Sequence, residues 1–95
     1  MIKTWKNAKC RKVYEEGKTR GFSGLDRDHA LEVLKTLNAA TSLSQIGPLK
    51  SVGLHRLKGN RKGQWAMTVN GPWRVCFLFH DGDAYNVEIT DYHKG

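Results

Sequence analysis

The order of hydrophobic patterns along the chain predicts an α+β domain in which two N-terminal helices pack on a small, mainly antiparallel sheet. Apolar residues recur at helical spacing in two segments of the first half, and strand-like runs separated by short turns follow Pro48. Helices that cover one face of such a sheet form a two-layer architecture. A chain of 95 residues suits a single domain, residues 1–95, with one small core.

The N-terminal half contains the two predicted helices, preceded by a short strand candidate at residues 2–5. Asn7 is expected to cap the first helix and Gly17 to end it, because an asparagine side chain accepts a free helix amide and a glycine readily turns the chain. Asp26 or Asp28 opens the second helix. The apolar residues expected on the buried helix faces are Cys10, Val13, Tyr14, Ala30, Leu31, Leu34 and Leu37.

The C-terminal half predicts four strands, at residues 53–58, 64–69, 73–79 and 84–90. The third is apolar on both faces, which is typical of a central strand. The last alternates between apolar and polar residues, so Tyr85, Val87 and Ile89 are expected to point inward. Short connections between consecutive strands predict an antiparallel meander.

Positive charge is concentrated in one stretch of the sequence. The formal net charge is +7, and the stretch between Glu32 and Asp81 contains seven lysines and arginines but no acidic residue. A compact domain with such a stretch presents a positive surface, which attracts polyanions such as RNA, DNA, anionic lipid or an acidic protein. The plainer interpretation is that this charge only keeps the protein soluble.

Several classes of function lack support in the sequence. Cys10 and Cys76 form no CxxC pair, and both are expected to be buried free thiols. No P-loop, Rossmann or G-x-S-x-G motif occurs, and the longest apolar run, "VCFLF", is too short to cross a membrane. The N-terminus lacks the apolar run of a signal peptide, so a soluble cytoplasmic protein is expected. No metal or other cofactor is predicted, because no known metal-site spacing is matched by His80, Asp81, Asp83 and His93.

Two segments contain the side-chain types that cleave RNA without a metal. One is "LHRLKGNRKGQW" at residues 54–65, with His55, Lys58, further cations and two glycines, and the other is the terminal Asp91-Tyr92-His93. Such cleavage needs a base for the 2′-hydroxyl proton, cations for the charge on the phosphorane and an acid for the leaving 5′-oxygen. An imidazole titrates near ~6.5, so a histidine suits either proton-transfer role.

Each of these residues also has an ordinary structural explanation. His55 would serve equally as a half-buried packing residue, and Arg61 and Lys62 lie in a turn, where solvated charges are common. In a regular strand His55 and Lys58 point to opposite faces. If both belong to one site, the strand must end or bulge near residues 57–59, and we expect that it does.

Several motifs along the chain match the pattern of one toxin family. The chain begins "MIKTWK", ends its first predicted helix with "YEEGKT" and has "AAT" after the second. The most specific segment is "LHRLKGNRKGQWAMTVNGPWRVCFLFHDGDAYNVEITDYH", in which the "LKG-R" block and the terminal "DYH" are distinctive. Over essentially its whole length the chain resembles the HigB-type toxins, the plasmid-maintenance killer branch of the RelE/ParE superfamily. It departs from the family pattern at residues 64–66, "QWA", where members often have "YWS", and by two residues that follow "DYH".

The resemblance implies a fold, an activity and partners. The fold is the RelE-like microbial ribonuclease architecture. The activity is that of a metal-independent endoribonuclease without cofactors, which cuts messenger RNA in the ribosomal A site and stops translation. The implied partners are the 70S ribosome with its mRNA and a HigA-like helix-turn-helix antitoxin, and operator DNA is contacted only through the toxin–antitoxin complex. No membrane association is implied.

The resemblance also assigns functional positions. The expected catalytic residues are His55, Lys58, Asp91, Tyr92 and His93. The residues expected to bind RNA or phosphate are Arg74 and Arg61, carried over from the family, and the neighbouring cations Lys62 and Arg56. Two alternatives stay open: a gyrase-poisoning toxin of the ParE branch, which shares the fold, and a catalytically silent RNA-binding module.

Overall fold

The computed structural model describes residues 1–92 and confirms the predicted α+β architecture. The elements in chain order are α1 (Ala8–Glu16), α2 (Arg27–Ala39), β1 (His55–Arg56), β2 (Trp65–Asn70), β3 (Trp73–His80) and β4 (Asp83–Asp91). Single 3₁₀ turns occupy Leu43–Gln45 and Gly59–Arg61. Within residues 1–92, no helix combines the length and the apolar composition needed to cross a membrane.

Both helices begin and end where the sequence places their caps. The Asn7 side chain accepts a hydrogen bond from the Cys10 amide at 2.9 Å, and Gly17 ends α1 with a left-handed φ of 67°. Of the two acidic candidates for the start of α2, Asp26 is the cap, since its carboxylate accepts from the His29 amide. Asp28 lies in the first turn, where the helix dipole favours a negative charge.

The four strands form an antiparallel meander in the order β1-β2-β3-β4. The N-terminal segment runs parallel to β4 and makes two isolated bridges, Ile2 with Ala84 and Trp5 with Val87. The strand expected at residues 2–5 is therefore reduced to two points of contact. These contacts cover the outer edge of β4, where backbone amides and carbonyls would otherwise be unpaired.

A β-bulge in β4 breaks the predicted alternation. The pairing of β3 with β4 shifts register between Cys76 and Leu78, and Asn86 adopts a left-handed φ of 55°. Because the bulge adds one residue to β4, Ala84 becomes fully buried and Tyr85 is only half-buried. The expectation that Tyr85 points into the core was therefore wrong, whereas Val87 and Ile89 are buried as predicted.

The two faces of the sheet differ in what covers them. One face packs against α1 and α2 and forms the main core, whose largest fully buried side chains include Phe77, Leu34, Leu37 and Met67. Within residues 1–92, neither α1 nor α2 packs on the opposite face, which carries a small separate cluster of Leu57, Ala66 and Cys76, with Tyr92 packed against it. We call this second surface the open face.

Candidate functional site

The open face brings one residue from each of the four strands into a single row. His55 pairs with Ala66, Ala66 with Cys76, and Cys76 with Glu88. Directly opposed residues of antiparallel strands point to the same side of a sheet, so these side chains lie on the open face. The row links the first strand, which carries one predicted cluster, to the last strand, which carries the other.

Tyr92 closes the open face at the end of β4. Its backbone amide donates to the Pro72 carbonyl at 3.0 Å, which holds the residue beside the turn between β2 and β3. Its ring packs on Leu57, Ala66 and Cys76, of which Leu57 is 4% exposed and the other two less. The phenol therefore sits on an apolar floor, with part of its surface still open to a ligand.

Arg61 connects the 3₁₀ turn to β4. Its Nη1 donates to a carboxylate oxygen of Glu88 and to the side-chain carbonyl of Gln64, both at 3.1 Å. Its guanidinium carbon lies 5.7 Å from the centre of the Tyr92 ring, within the range of a cation–π contact. The Arg61 and Glu88 side chains are only 25% and 21% exposed, so this ion pair is partly shielded from water.

The Cys76 thiol lies at the base of the open face and is chemically quiet. Burial raises its pKa to about 11, and the neighbouring Glu88 carboxylate acts in the same direction, against the smaller lowering effects of Arg61 and Arg74. A thiol with this pKa carries its proton at neutral pH and is a poor nucleophile. Cys76 therefore forms part of the apolar floor. Cys10, on the other side of the sheet, also has a raised pKa because it is buried.

The turn after β1 forms a cationic cavity beside this floor. The cavity has a volume of about 230 Å³ and is lined by Arg56, Leu57, Lys58, Gly59 and Lys62. β1 ends at Arg56, and Gly59 starts the 3₁₀ turn with a left-handed φ of 69°, so the predicted interruption of the strand is confirmed.

His55 and Arg56 flank this cavity differently. His55 lies outside its lining, exposed, with Nδ1 3.2 Å from the Gly53 carbonyl. The Arg56 guanidinium instead leans over the Trp65 ring, 5.6 Å from its centre. The structure thus gathers Lys58, Lys62 and Arg56 around one cavity and leaves His55 at the neighbouring end of the row.

Arg74 lies on the open face beside the turn between β2 and β3, the same turn that holds the Tyr92 amide. Its Nη1 donates to the carbonyls of Gly71 at 2.7 Å and Trp73 at 3.0 Å, which fixes the guanidinium next to the turn between β2 and β3. Arg74 is two residues before Cys76 on β3 and pairs with Thr68 and Thr90, so it shares their face. This position suits the predicted contact with a phosphate.

Consecutive residues of a strand point to opposite faces, so Asp91 and Tyr92 of the predicted terminal cluster do not lie on the same side of the sheet. Asp91 pairs with Trp73, whose ring packs against Phe22 on the helix-covered side. Its register therefore puts Asp91 on the side of Ile89, opposite to Tyr92, and its side chain is exposed. The third predicted member, His93, lies outside the described residues.

Glu88, Gln64 and Cys76 are site residues that sequence reasoning missed. The alternating pattern of the last strand places Glu88 on its polar, outward-facing side and gives it no role. The only signal in the sequence was its spacing: residues 88, 90 and 92 share one face of β4, so Glu88 belongs to the face that carries Tyr92. Nothing local in the sequence pairs Glu88 with Arg61, which is 27 positions away.

The arrangement suits an anionic ligand. Lysine and arginine side chains surround an apolar floor and a half-exposed phenol, a combination that binds phosphates and stacks on a base or sugar. Within residues 1–92, no group of three or more His, Cys, Asp or Glu side chains is close enough to hold a metal ion. Nearby, His80 and Asp81 form an exposed pair at 3.1 Å in the turn between β3 and β4.

Comparison with known proteins gives two matches that cover almost the whole chain. Residues 3–93 match the model of a HigB-like toxin family, described as the RelE-like toxin of the type II toxin–antitoxin system HigB. The chain is also 37% identical over 93 residues to the protein named Endoribonuclease HigB from Proteus vulgaris, an overlap of 98% of this chain and all of that protein. These matches confirm the resemblance deduced from the motifs. The chain therefore belongs to the HigB-like toxin family of type II toxin–antitoxin systems.

Proposed function

We propose that this toxin is an endoribonuclease that cleaves messenger RNA in the ribosomal A site, without a metal, and thereby inhibits translation. The observation that carries the proposal is the 37% identity, over the full length of the relative, to a protein named Endoribonuclease HigB. The open face supports it, because it presents the hydrogen-bonded Arg74 guanidinium and a lysine-lined cavity beside a half-buried aromatic ring. A single-stranded codon held in the A site would have the accessible bases and backbone that such a surface binds.

The chemistry that we propose is transfer of the phosphate to the neighbouring 2′-oxygen. A base removes the 2′-hydroxyl proton, the 2′-oxygen attacks phosphorus and the bond from phosphorus to the 5′-oxygen breaks. The products are a 2′,3′-cyclic phosphate and a 5′-hydroxyl, and an acid supplies the proton to the leaving oxygen. We assign these proton transfers to His55 or His93. Asp91 was expected to assist, but its register on β4 puts it on the face opposite to Tyr92, so the proposal gives it no proton transfer at the open face.

The remaining proposed roles are electrostatic and positional. Lys58 and Arg74 would stabilise the negative charge that the phosphorane gains, and Arg74 would do so from a guanidinium already held by two backbone carbonyls. Tyr92 would stack on or orient a nucleotide of the substrate. Lys62 and Arg56 would contact the RNA backbone. Arg61 was expected to do the same, but its Nη1 is already shared between Gln64 and Glu88.

We propose the partners that this activity requires. The toxin would act in the cytoplasm on the 70S ribosome with bound mRNA, and a HigA-like helix-turn-helix antitoxin would neutralise it. The chain would reach operator DNA only as part of the toxin–antitoxin complex. The positive charge of +7 favours docking on ribosomal RNA. This attraction weakens as the salt concentration rises, because the counterions displaced by the protein then gain less entropy on release.

Mapping of transcript 5′ ends after induction tests the proposed activity. The wild-type chain should create new 5′ ends inside the reading frames of translated messages, and the same message without its start codon should stay intact. Lys58→Ala should create few or none. Intact transcripts accompanied by double-strand DNA breaks would instead indicate gyrase poisoning. Tight ribosome binding with no cut ends would indicate an RNA-binding module, and either result would refute the proposal.

A further inference from the structure

Glu88 stands out because it is a charged residue on a surface whose floor is apolar. Glu88 on β4 pairs with the buried Cys76 on the adjacent strand β3, and the Glu88 side chain is 21% exposed. A carboxylate that is partly removed from water is costly unless it is paired and hydrogen-bonded. Arg61 supplies that pairing at 3.1 Å, so the carboxylate and the guanidinium depend on each other for their positions.

Arg61 also contacts two other parts of the open face, the Tyr92 ring and its own loop. On β4, Glu88 and Tyr92 are separated by roughly 13 Å of strand, and the Arg61 side chain reaches from the carboxylate to the Tyr92 ring. In its own loop, Arg61 also donates to Gln64 at 3.1 Å, which closes the 3₁₀ turn that follows Lys58. One guanidinium thus joins the lysine-bearing loop to the strand that carries the phenol.

We propose that Glu88 is a positioning residue, which acts through Arg61 to hold the Tyr92 ring and the Lys58 loop in their reactive arrangement. This inference rests on the proposed RNA cleavage and goes beyond it, because the role of Arg61 becomes support of the site instead of the expected phosphate binding. Glu88 neutralises the Arg61 guanidinium and keeps it against Tyr92. Without that carboxylate, Arg61 is free to follow an incoming phosphate away from the ring.

The sign of the kinetic effect follows from this arrangement. Glu88→Gln keeps the size of the side chain but removes one negative charge, so the surface becomes more positive and RNA binding is maintained or tightened. Loss of positioning lowers the chemical step, since small displacements of reacting groups reduce rates strongly. We therefore expect kcat to fall about tenfold to a hundredfold while KM stays constant or decreases. We therefore express kcat per folded molecule, because a change in stability alone would lower the folded fraction and leave kcat per folded molecule at the wild-type value.

The test is a double-mutant cycle with purified proteins on ribosome-bound mRNA, using Glu88→Gln, Arg61→Met and the two combined. If Glu88 acts only through Arg61, the double variant has the kcat of Arg61→Met within about twofold. Glu32→Gln is the matched control, because Glu32 is an exposed acid on α2 and its loss changes the net charge equally. Its kcat should equal that of the wild type.

Three results would overturn the inference. A wild-type kcat for Glu88→Gln would show that Glu88 has no positioning role. If the fold-loss of kcat in the double variant equals the product of the two single losses, Glu88 acts independently of Arg61. If Glu88→Gln does not fold, Glu88→Asp replaces it: the charge is kept but withdrawn from Arg61, and a wild-type kcat again contradicts the proposal. The wild-type protein in the same assay separates the two proposals, because failure of the wild type to cut RNA refutes both, whereas cleavage that is insensitive to Glu88 refutes only this one.

Discussion

The two faces of the sheet use the same strands for different purposes. On β3, Phe77 is fully buried among the side chains of the helix-covered core, whereas its neighbour Cys76 lies on the other side in a small cluster with Leu57, Ala66 and Tyr92. The helix-covered face buries enough apolar surface to hold a small domain together. The open face carries the smaller cluster, and both the Arg61–Glu88 ion pair and Arg74 lie on it.

This division explains how a 95-residue chain can carry a strongly positive site. Like charges and half-buried ion pairs destabilise a folded protein unless other interactions offset them. Here most of the offsetting apolar contacts are on the opposite side of the sheet, and the paired strands join the two faces. Changes on the helix-covered face should therefore alter stability first, and changes on the open face should alter activity first.

The largest expected effect comes from the helix-covered face. Phe77→Ala leaves a cavity beneath the sheet and should lower the free energy of unfolding by about 3–5 kcal/mol, a large part of the about 5–15 kcal/mol available to a small domain. Urea denaturation measures this. Leu78→Ala is the adjacent control: Leu78 is 39% exposed, and its change should stay within about 0.5 kcal/mol. Similar losses at both positions would contradict the assignment of the faces.

The second-largest expected effect is a loss of catalytic rate on the open face. Lys58→Ala should reduce kcat about 10²- to 10³-fold, as expected for removal of one fixed donor to a developing negative charge. Because the Lys58 side chain is exposed, unfolding free energy should change by no more than about 0.5 kcal/mol. Lys35→Ala, on the exposed side of α2, removes the same charge and should leave kcat unchanged. Equal loss of activity in both variants would point to general charge instead of a site.

A smaller effect is expected at the floor of the open face. Cys76→Ser introduces a hydroxyl next to Leu57, Ala66 and the Tyr92 ring, where it replaces an apolar contact, and should destabilise the protein by about 1–3 kcal/mol. Cys76→Ala should cost less, since it adds no polar group. Thermal unfolding of the two variants compares them. A Cys76→Ser protein as stable as the wild type would mean that water reaches this floor.

The raised pKa of Cys76 also predicts a pH dependence. The thiol ordinarily titrates at 9.0 but at about 11 in the folded protein, so the unfolded chain loses this proton first. The stabilising contribution is complete below pH 9 and is lost as the pH rises towards about 11. Between these limits the wild type should lose stability more steeply than Cys76→Ala. Parallel curves for the two proteins would show that the buried thiol does not contribute.

The smallest predicted effect concerns salt. Lys62 lines the cationic cavity and is exposed, so Lys62→Ala should weaken RNA binding modestly and reduce the slope of log affinity against log salt by about one. Binding of a short single-stranded RNA at several salt concentrations measures that slope. An unchanged slope would remove Lys62 from the RNA contact.

Local chemistry made much of this fold predictable. Asn7 and Gly17 mark the ends of α1 because the cap bond and the left-handed turn involve residues only three or four positions apart. The end of β1 was predictable for a similar reason, since His55 and Lys58 could share a site only if the strand stopped between them. In each case the physical cause lies within a short window of sequence.

The parts that escaped prediction depend on distant contacts. The bulge at Asn86 follows from the pairing of β4 with both β3 and the N-terminal segment, where the Asn86 amide donates to the Thr4 hydroxyl at 2.7 Å. The pairing of Glu88 with Arg61 joins the last strand to a loop near residue 60. A periodic pattern predicts which side of a strand a residue occupies, but not which partner meets it there.

The separation of the two faces is tested most directly by measuring kcat per folded molecule in one variant from each face. Phe77→Leu trims the core but keeps an apolar side chain, so the folded fraction can be measured and used to correct the rate. The account predicts that Phe77→Leu is less stable with a wild-type corrected kcat, and that Lys58→Ala has wild-type stability and a kcat about 10²- to 10³-fold lower. If stability and corrected kcat fall together in both variants, the two faces are not separable and the account is contradicted.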